Sequence, residues 1–406
     1  VARSAEGIMS EDFDRGVERK GTASVKWDRL AALFGDDDML GMWVADMDFA
    51  SPTVVVEAMR RRLEHPVFGY TYAARSVVKA IVDRMERRFG WRIRPEWVVL
   101  TPGMVSTLHT VIRTFTHPGD EIVVQPPVYY PFYRAIRNSG CHAVDNQLVI
   151  EAGRYRMDLA GLEAALGDST AFPVRMSRVR MLVLCSPHNP VGRVWTREEL
   201  GELGEVCLAR DVMIVSDEIH NELVLDGFRH TVTASLSPAL EQATITLMSA
   251  SKTFNLAGLD TSFAIIPRED WRHAFLASHE SQDSNIFGLV ALEAAFNHGD
   301  GYLSRLLEYL NANMAFFINE VERRIPGVSV IRPEATYLAW VDLRALGLDG
   351  LALQSFVRGR ARLAVDDGYA FGPGGEGFIR VNVACPRRIL AEAVDRLARA
   401  VSTLAS

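Results

Sequence analysis

Between residues 97 and 266 the chain repeats one pattern, a short apolar run followed by an amphipathic stretch at helical spacing. That alternation constrains the fold more than any other feature. Short Val/Ile/Leu runs are strands buried on both faces, and strands separated by helices lie parallel. The expected strands are 98–101, 121–124, 181–185, 213–216, 244–248 and 262–266. Between them, 104–115 sets Val105, Leu108, Val111, Ile112 and Phe115 on one helical face. A second helix, 197–210, opens with a capping box of Thr196 and Glu199. The reading is α/β, a mostly parallel sheet with helices on both faces.

The flanks read differently. Residues 1–40 are polar, with Trp27, Leu30, Leu33 and Phe34 as apolar anchors, and suggest an arm with a short helix. A short strand and turn are expected over 42–49, then helices over 53–63 and 74–89, the second closed by Gly90. After about residue 290 the rhythm shifts. A long helix carries Leu303, Leu306, Leu307, Leu310, Met314, Phe317, Ile318 and Val321 and stops at Pro326-Gly327. A strand at 337–341, a helix near 350–362, a strand at 378–383 and a last helix from Pro386 complete a smaller α+β unit. The expected division is 1–45 as arm and part of the small domain, 46–290 as the large domain and 291–406 as the small domain.

Composition bounds the partners. A net charge of −7 over 406 residues gives no reason to expect nucleic acid or an anionic membrane. The first residues contain no apolar leader, and no apolar run reaches the length of a membrane span. Cys141, Cys185, Cys207 and Cys385 lie far apart, which excludes a disulfide framework or a cysteine zinc site, and no metal site is expected. The reading is a cytoplasmic protein.

Lys252 carries the first chemical signal. It follows a strand-forming run and a small-residue turn and sits in Ser249-Ala250-Ser251-Lys252-Thr253-Phe254. Packing between Ala, Phe and Leu disfavours the charged amine, and a neutral amine forms a Schiff base with an aldehyde. The motif alone also fits a surface lysine at a strand end. Thr101-Pro102-Gly103-Met104-Val105 turns a strand into a helix, where the N–H groups of Gly103, Met104 and Val105 suit a phosphate. The same turn needs no ligand to exist. Tyr129, in a proline-stiffened turn, offers a face for a flat ring or simply packs. Asn189 lies between prolines after a strand, with a fixed direction suited to a phenolic oxygen. Asp217 ends an apolar strand and needs a partner; a pyridinium N–H or a helix cap would serve. Arg380, on a strand of the small unit, fits either a carboxylate clamp or a surface ion pair.

The order of these parts resembles the fold-type I pyridoxal-phosphate (PLP) aminotransferase superfamily. Within it, the chain resembles the MalY/PatB-type cysteine-S-conjugate β-lyases, cystathionine β-lyase and cystalysin among them. The signals are W-V-A-D-M-D-F at 43–49, F-G-Y at 68–70, Q-P-P-V-Y-Y-P-F at 125–132 and S-P-H-N-P-V-G-R-V-W at 186–195. S-D-E-I-H at 216–220, S-K-T-F-N-L-A-G-L at 251–259 and the run from Phe371 to Asn382 complete them.

The resemblance implies a large domain with a seven-stranded, mostly parallel sheet between helices, a smaller α+β domain, and PLP as cofactor. It implies Lys252 as the Schiff-base lysine, Asp217 as partner of the ring nitrogen, and Tyr129 stacked on the ring. Asn189 and His220 would lie near the ring hydroxyl, and Ser249 and Ser251 would join Gly103, Met104 and Val105 at the phosphate. Tyr70 would reach the phosphate of a second subunit, so a homodimer is implied. Arg380, with Asn189 and Ala45, would hold an amino-acid substrate by its α-carboxylate. Two departures stand out. Asp260 lies eight residues after the lysine, where many aminotransferases place a phosphate-binding arginine. Asp366-Asp367-Gly368 stands where relatives tend to carry Pro-Gly.

The reaction this implies is α,β-elimination: the freed lysine takes the Cα proton, a thiolate leaves Cβ, and pyruvate and ammonia follow. An aminotransferase would use the same residues and reprotonate the cofactor carbon instead. A biosynthetic relative would couple decarboxylation to oxidative deamination, and the double acid at 366–367 keeps that reading open. A regulatory role without turnover is the third alternative, against which the intact Lys252 argues.

Overall fold

The structure is a computed structural model and describes residues 12–167, 179–279 and 285–404. The first eleven residues of the expected arm lie outside that description.

One seven-stranded sheet dominates. Its strands are β1 (Val98–Thr101), β2 (Glu121–Val124), β3 (His142–Asp145), β4 (Val179–Cys185), β5 (Met213–Asp217), β6 (Thr244–Met248) and β7 (Ser262–Ile265). Their spatial order is β1-β7-β6-β5-β4-β2-β3. Only β7 runs antiparallel to its neighbours. Successive residues face opposite cores, as strand geometry requires. Met181, Val183 and Val215 pack with Leu108, Val111 and Ile112 on one side. Leu182, Leu184 and Ile214 pack with Leu200 and Leu203 on the other. Strand β3 escaped the sequence reading because it is an edge strand with mostly exposed side chains and little apolar signal.

The main helices are α1 (Thr53–Leu63), α2 (Arg75–Phe89), α3 (Met104–Phe115), α4 (Arg197–Leu208), α5 (Ile286–His298), α6 (Asp300–Arg324) and α7 (Arg387–Ser402). Gly90 closes α2 at φ 67°. The capping box of α4 is complete: Glu199 N–H donates to Thr196 Oγ1 at 3.2 Å, and Thr196 N–H donates to Glu199 Oε2 at 2.8 Å. Helix α5 packs against α1 and α2 and is buried on most sides, so it lacks the periodicity of a surface helix. It spans residues 290 and 291. Among the described residues, no helix is long and apolar enough to cross a membrane.

A second sheet, four-stranded and antiparallel, belongs to the C-terminal part. Its strands are β8 (Ser329–Ile331), β9 (Leu338–Asp342), β10 (Asp366–Asp367) and β11 (Phe378–Asn382), in the order β8-β9-β11-β10. The helix expected near 350–362 is α-helical over Gly350–Ser355 and continues as a π-turn over Phe356–Arg360.

The strand expected over 42–49 does not form. Only Leu40–Gly41 is a strand, paired in parallel with Leu363–Ala364. Beyond Met42 the backbone is irregular, because side chains take up its polar groups. Arg380 donates to Trp43 O, Asn382 to Val44 O and Asp46 O, and Asn255 to Met47 O and Phe49 O. With these partners a strand ladder is not needed to satisfy the buried carbonyls.

Arg84 ties α2 to the rest. It is fully buried, donates from Nε to Glu222 at 2.7 Å, and pairs with both Glu222 and Asp300 at the start of α6. Arg84→Ala leaves a buried glutamate without its cation, which costs about 3–5 kcal/mol. Urea unfolding of the purified variant checks this. The double change Arg84→Met with Glu222→Leu should recover most of the loss, since it removes the unpaired charge as well.

Candidate active site

The carboxyl ends of β1, β4, β5 and β6 meet at one edge of the large sheet, where such sheets form clefts. At or just after the ends of β4, β5 and β6 come the side chains of Asn189, Asp217 and Lys252, and after β1 the backbone N–H groups of Gly103, Met104 and Val105. A cavity of about 370 Å³ there is lined by Ala45, Gly103, Met104, Val105, Tyr129, Asn189, Asp217, His220, Ser249, Ser251 and Lys252. Eleven of the residues singled out from the sequence therefore meet in one place. A larger cleft of about 830 Å³ lies between the N-terminal arm and α7 and contains none of them.

Lys252 Nζ donates to Ala45 O at 2.8 Å. Burial lowers its pKa to about 8; Asp46 opposes that shift, Arg380 adds to it, and Asp217 opposes it. Asp217 is the last residue of β5, opposite Cys185 of β4. Its carboxylate accepts the Ile219 N–H at 3.1 Å. Burial raises its pKa to about 7, against the pull of that N–H and of Lys252. His220 is buried edge-on to Tyr337, its ring centroid 6.2 Å away, and its Nδ1 has no hydrogen-bond partner among the described residues. Burial lowers its pKa to about 3, with Lys252 and Arg380 adding to the effect. Tyr129 is half-buried at the cavity wall, and burial pushes its hydroxyl up to about 12.

At the other end of the cavity, Gly103 takes φ 84° and opens α3. An alanine would be strained there, so the glycine lets the chain turn directly into the helix N-terminus. Ser249 Oγ donates to Thr261 O at 2.7 Å and accepts the Ser251 N–H at 3.0 Å. Asp260 lines this same end, at φ 40°. Tyr70 is apart from the cavity and fully exposed.

Arg380 reaches the site from the second sheet. It is 3% exposed and donates from Nη1 to Asn189 Oδ1 at 2.9 Å. Asn382, two residues on and so on the same strand face, holds the 43–48 segment with it. Sequence reasoning missed the residues that fix this segment. Tyr337 donates to Ala45 O at 3.0 Å. Arg19 forks onto Asp46 at 2.7 Å and reaches Asp48 at 3.0 Å, while the fully buried Lys26 donates to Asp48 at 2.7 Å. The i,i+2 spacing of Arg380 and Asn382 was a readable signal; Arg19, Lys26 and Tyr337 carried none.

Comparison with known proteins bears on this geometry. The family model for aminotransferase class I and II matches residues 37–397. The chain belongs to that family. Within it, it belongs with the MalY/PatB-type lyases. It is 42% identical over 398 residues to cystathionine beta-lyase PatB of Bacillus subtilis, covering 96% of this chain and 100% of that one. It is 32% identical over 395 residues to protein MalY of Escherichia coli, covering 96% and 98%. Its fold matches cystalysin of Treponema denticola, a structure containing a pyridoxal 5′-phosphate cofactor, with TM-score 0.92 at 34% identity over 98% of this chain and 100% of that one.

The family's site in this chain has a measurable electrostatic signature. The Asp217 carboxyl moves from 3.8 to about 7 on burial. Folding therefore favours its neutral form: the stability is present at low pH and lost as pH rises toward about 7, roughly 4 kcal/mol in all. In cofactor-stripped protein, Asp217→Asn should melt higher than the parent at alkaline pH. The gap should close as the solution is acidified. Melting curves across pH test the sign.

Proposed function

We propose that the chain is a PLP-dependent carbon–sulfur β-lyase that cleaves cysteine S-conjugates of the cystathionine type to a thiol, pyruvate and ammonia. The observation that carries this is the end-to-end 42% identity to a cystathionine beta-lyase, on a chain whose Lys252, Asp217 and Asn189 line one cavity.

The residues fit the cofactor. Asp217 is a buried acid with no ion-pair partner among the described residues and is raised to about 7, and a ring N–H would satisfy it. His220 Nδ1 is a buried nitrogen without a partner among the described residues. Gly103 and the start of α3 offer N–H groups to a phosphate, beside Ser249 and Ser251. Lys252 has an amine lowered to about 8, so a share of it is neutral near neutral pH.

When bound, the cofactor supplies an aldehyde that captures amines and a ring that takes up the electron pair of a broken Cα–H bond. The protein does the rest. Asp217 keeps a proton on the ring nitrogen. Asn189, its Oδ1 engaged by Arg380, offers Nδ2 as a donor to the ring hydroxyl, with His220 alongside. Tyr129 covers one ring face. Arg380 holds the substrate's α-carboxylate near Ala45 and Asn189. Lys252 Nζ, once free, removes the Cα proton and can return it. A thiolate leaves Cβ more readily than hydroxide does, so a sulfur substituent directs the outcome to elimination.

A homodimer completes the site in this reading. Tyr70, Tyr72, Phe68, Val67 and Leu63 form an exposed apolar run, and Tyr70 is the member that would reach the neighbouring subunit's phosphate cradle. The four cysteines are all buried and unpaired, and a cytoplasmic setting is part of the same proposal.

With L-cystathionine and no keto acid, thiol, pyruvate and ammonia should appear in equal amounts over many turnovers. A stall after one turnover, relieved by a keto acid, means an aminotransferase. Oxygen uptake with release of carbon dioxide and an intact C–S bond means oxidative decarboxylation. Lys252→Ala should lower the rate by at least about a hundredfold, the low end for loss of a general base. Dimers mixed from Tyr70→Phe and Lys252→Ala chains should regain activity that neither homodimer has. No recovery despite proven subunit exchange would overturn the shared site.

A further inference from the structure

The two acids at 366 and 367 part company in the fold. Asp367 is engaged away from the cavity: Arg358 donates to its carboxylate at 2.5 Å and Gln354 at 2.6 Å. Asp366 lies directly opposite Arg380 in the β10–β11 register. Its carboxylate pairs with Arg380 Nη2, and both side chains are nearly buried, at 11% and 3% exposure.

The donors of Arg380 can be counted. Nη1 is held by Asn189 Oδ1 at 2.9 Å. Nη2 serves Trp43 O at 3.0 Å and Asp366. Nε is buried and has no partner among the described residues. A carboxylate that binds in two-pronged fashion uses either the Nε/Nη2 edge or the Nη1/Nη2 end of a guanidinium. Both forks include Nη2, the donor that Asp366 holds. Two carboxylates on one buried cation would also leave an uncompensated negative charge.

We propose that Asp366 is the resident occupant of the carboxylate clamp, which the substrate's α-carboxylate displaces, and that the displaced acid takes up one proton from solvent. The step forms the carboxylate–guanidinium pair, breaks the Asp366–Arg380 pair and places the proton on an Asp366 oxygen. It rests on Arg380 being the clamp. The groups around Asp366 suit it. Tyr129 and Tyr130 interact with it from the 125–130 turn, and burial together with Asp367 favours its neutral form, while Arg380 and Arg358 oppose that. Once Arg380 turns to the substrate, the main opposing charge is gone. The segment thus sets specificity for monocarboxylate ends that arrive with a proton. It replaces a permanently open arginine with a guarded one.

The test uses holoenzyme and propionate, a carboxylate without an amine, as competitive inhibitor of L-cystathionine cleavage. Between the pKa of Asp366 in the free enzyme and its higher pKa in the complex, the propionate Ki should rise about tenfold per pH unit, as one coupled proton requires. Calorimetry in buffers of different ionisation heat should show about one proton taken up per propionate bound. Asp366→Asn should bind propionate more tightly at alkaline pH, with a flatter profile and without the uptake. Asp366→Glu should restore the rise. A parent Ki independent of pH, or an Asp366→Asn profile as steep as the parent's, overturns the proposal. If Asp366→Asn does not fold, the parent profile, its proton count and Asp366→Glu still decide. Arg380→Gln separates the two readings. If it keeps the parent's Ki, the clamp assignment itself falls. If it loses inhibition while Asp366→Asn matches the parent, only the role of Asp366 falls.

Discussion

The segment from Trp43 to Asp48 has almost no backbone ladder of its own, and the site depends on how it is held. Side chains from three separate parts of the chain bind it. Lys252 and Asn255 come from the loop after β6, Arg380, Asn382 and Tyr337 from the small sheet and its approach, and Arg19 and Lys26 from the N-terminal arm. Each bond satisfies a buried polar group that would otherwise cost about 1–3 kcal/mol. Because Ala45 O accepts from both Lys252 and Tyr337, a shift of this segment moves the lysine as well. The two sheets are therefore registered to each other through a piece of chain that belongs to neither.

One physical cause tunes both central groups. Removal from water disfavours charge, so it pushes an acid up and an amine down. Here Asp217 rises to about 7 and Lys252 falls to about 8, which brings an acid and a base of very different ordinary strength within about one unit of each other. Pairs of this kind sit where protons must move near neutral pH. The fold produces the effect by ending buried strands at the cavity instead of at the surface. The same desolvation makes an unpaired Arg380 costly, and the chain meets that cost with Asp366.

Much of the architecture was legible. Six of the seven strands in the main sheet follow from apolar runs, and the long helix α6 from its periodicity and its stop at Pro326-Gly327. Two of the elements that escaped share a reason. Strand β3 is an exposed edge, and α5 is buried on nearly every side, so neither carries the contrast between an inner and an outer face that pattern reading needs. The 42–49 segment misled in the opposite direction: its apolar residues look like a strand, but their carbonyls are claimed by distant side chains.

By itself, the sequence determined the local pieces: which runs become strands, where helices begin, and which turns carry Gly103, Asn189, Asp217 and Lys252 at strand ends. These depend on interactions within a few residues, and periodicity and turn chemistry record them. Only the tertiary structure decided what those pieces face. That Asp366 meets Arg380 across a strand pair, that Asp367 turns to Arg358, and that Arg19 and Lys26 clamp Asp46 and Asp48 follow from sheet register and from contacts between distant segments. No local pattern encodes a partner far away in the chain, because the free energy that selects it is the burial and charge balance of the whole assembled core.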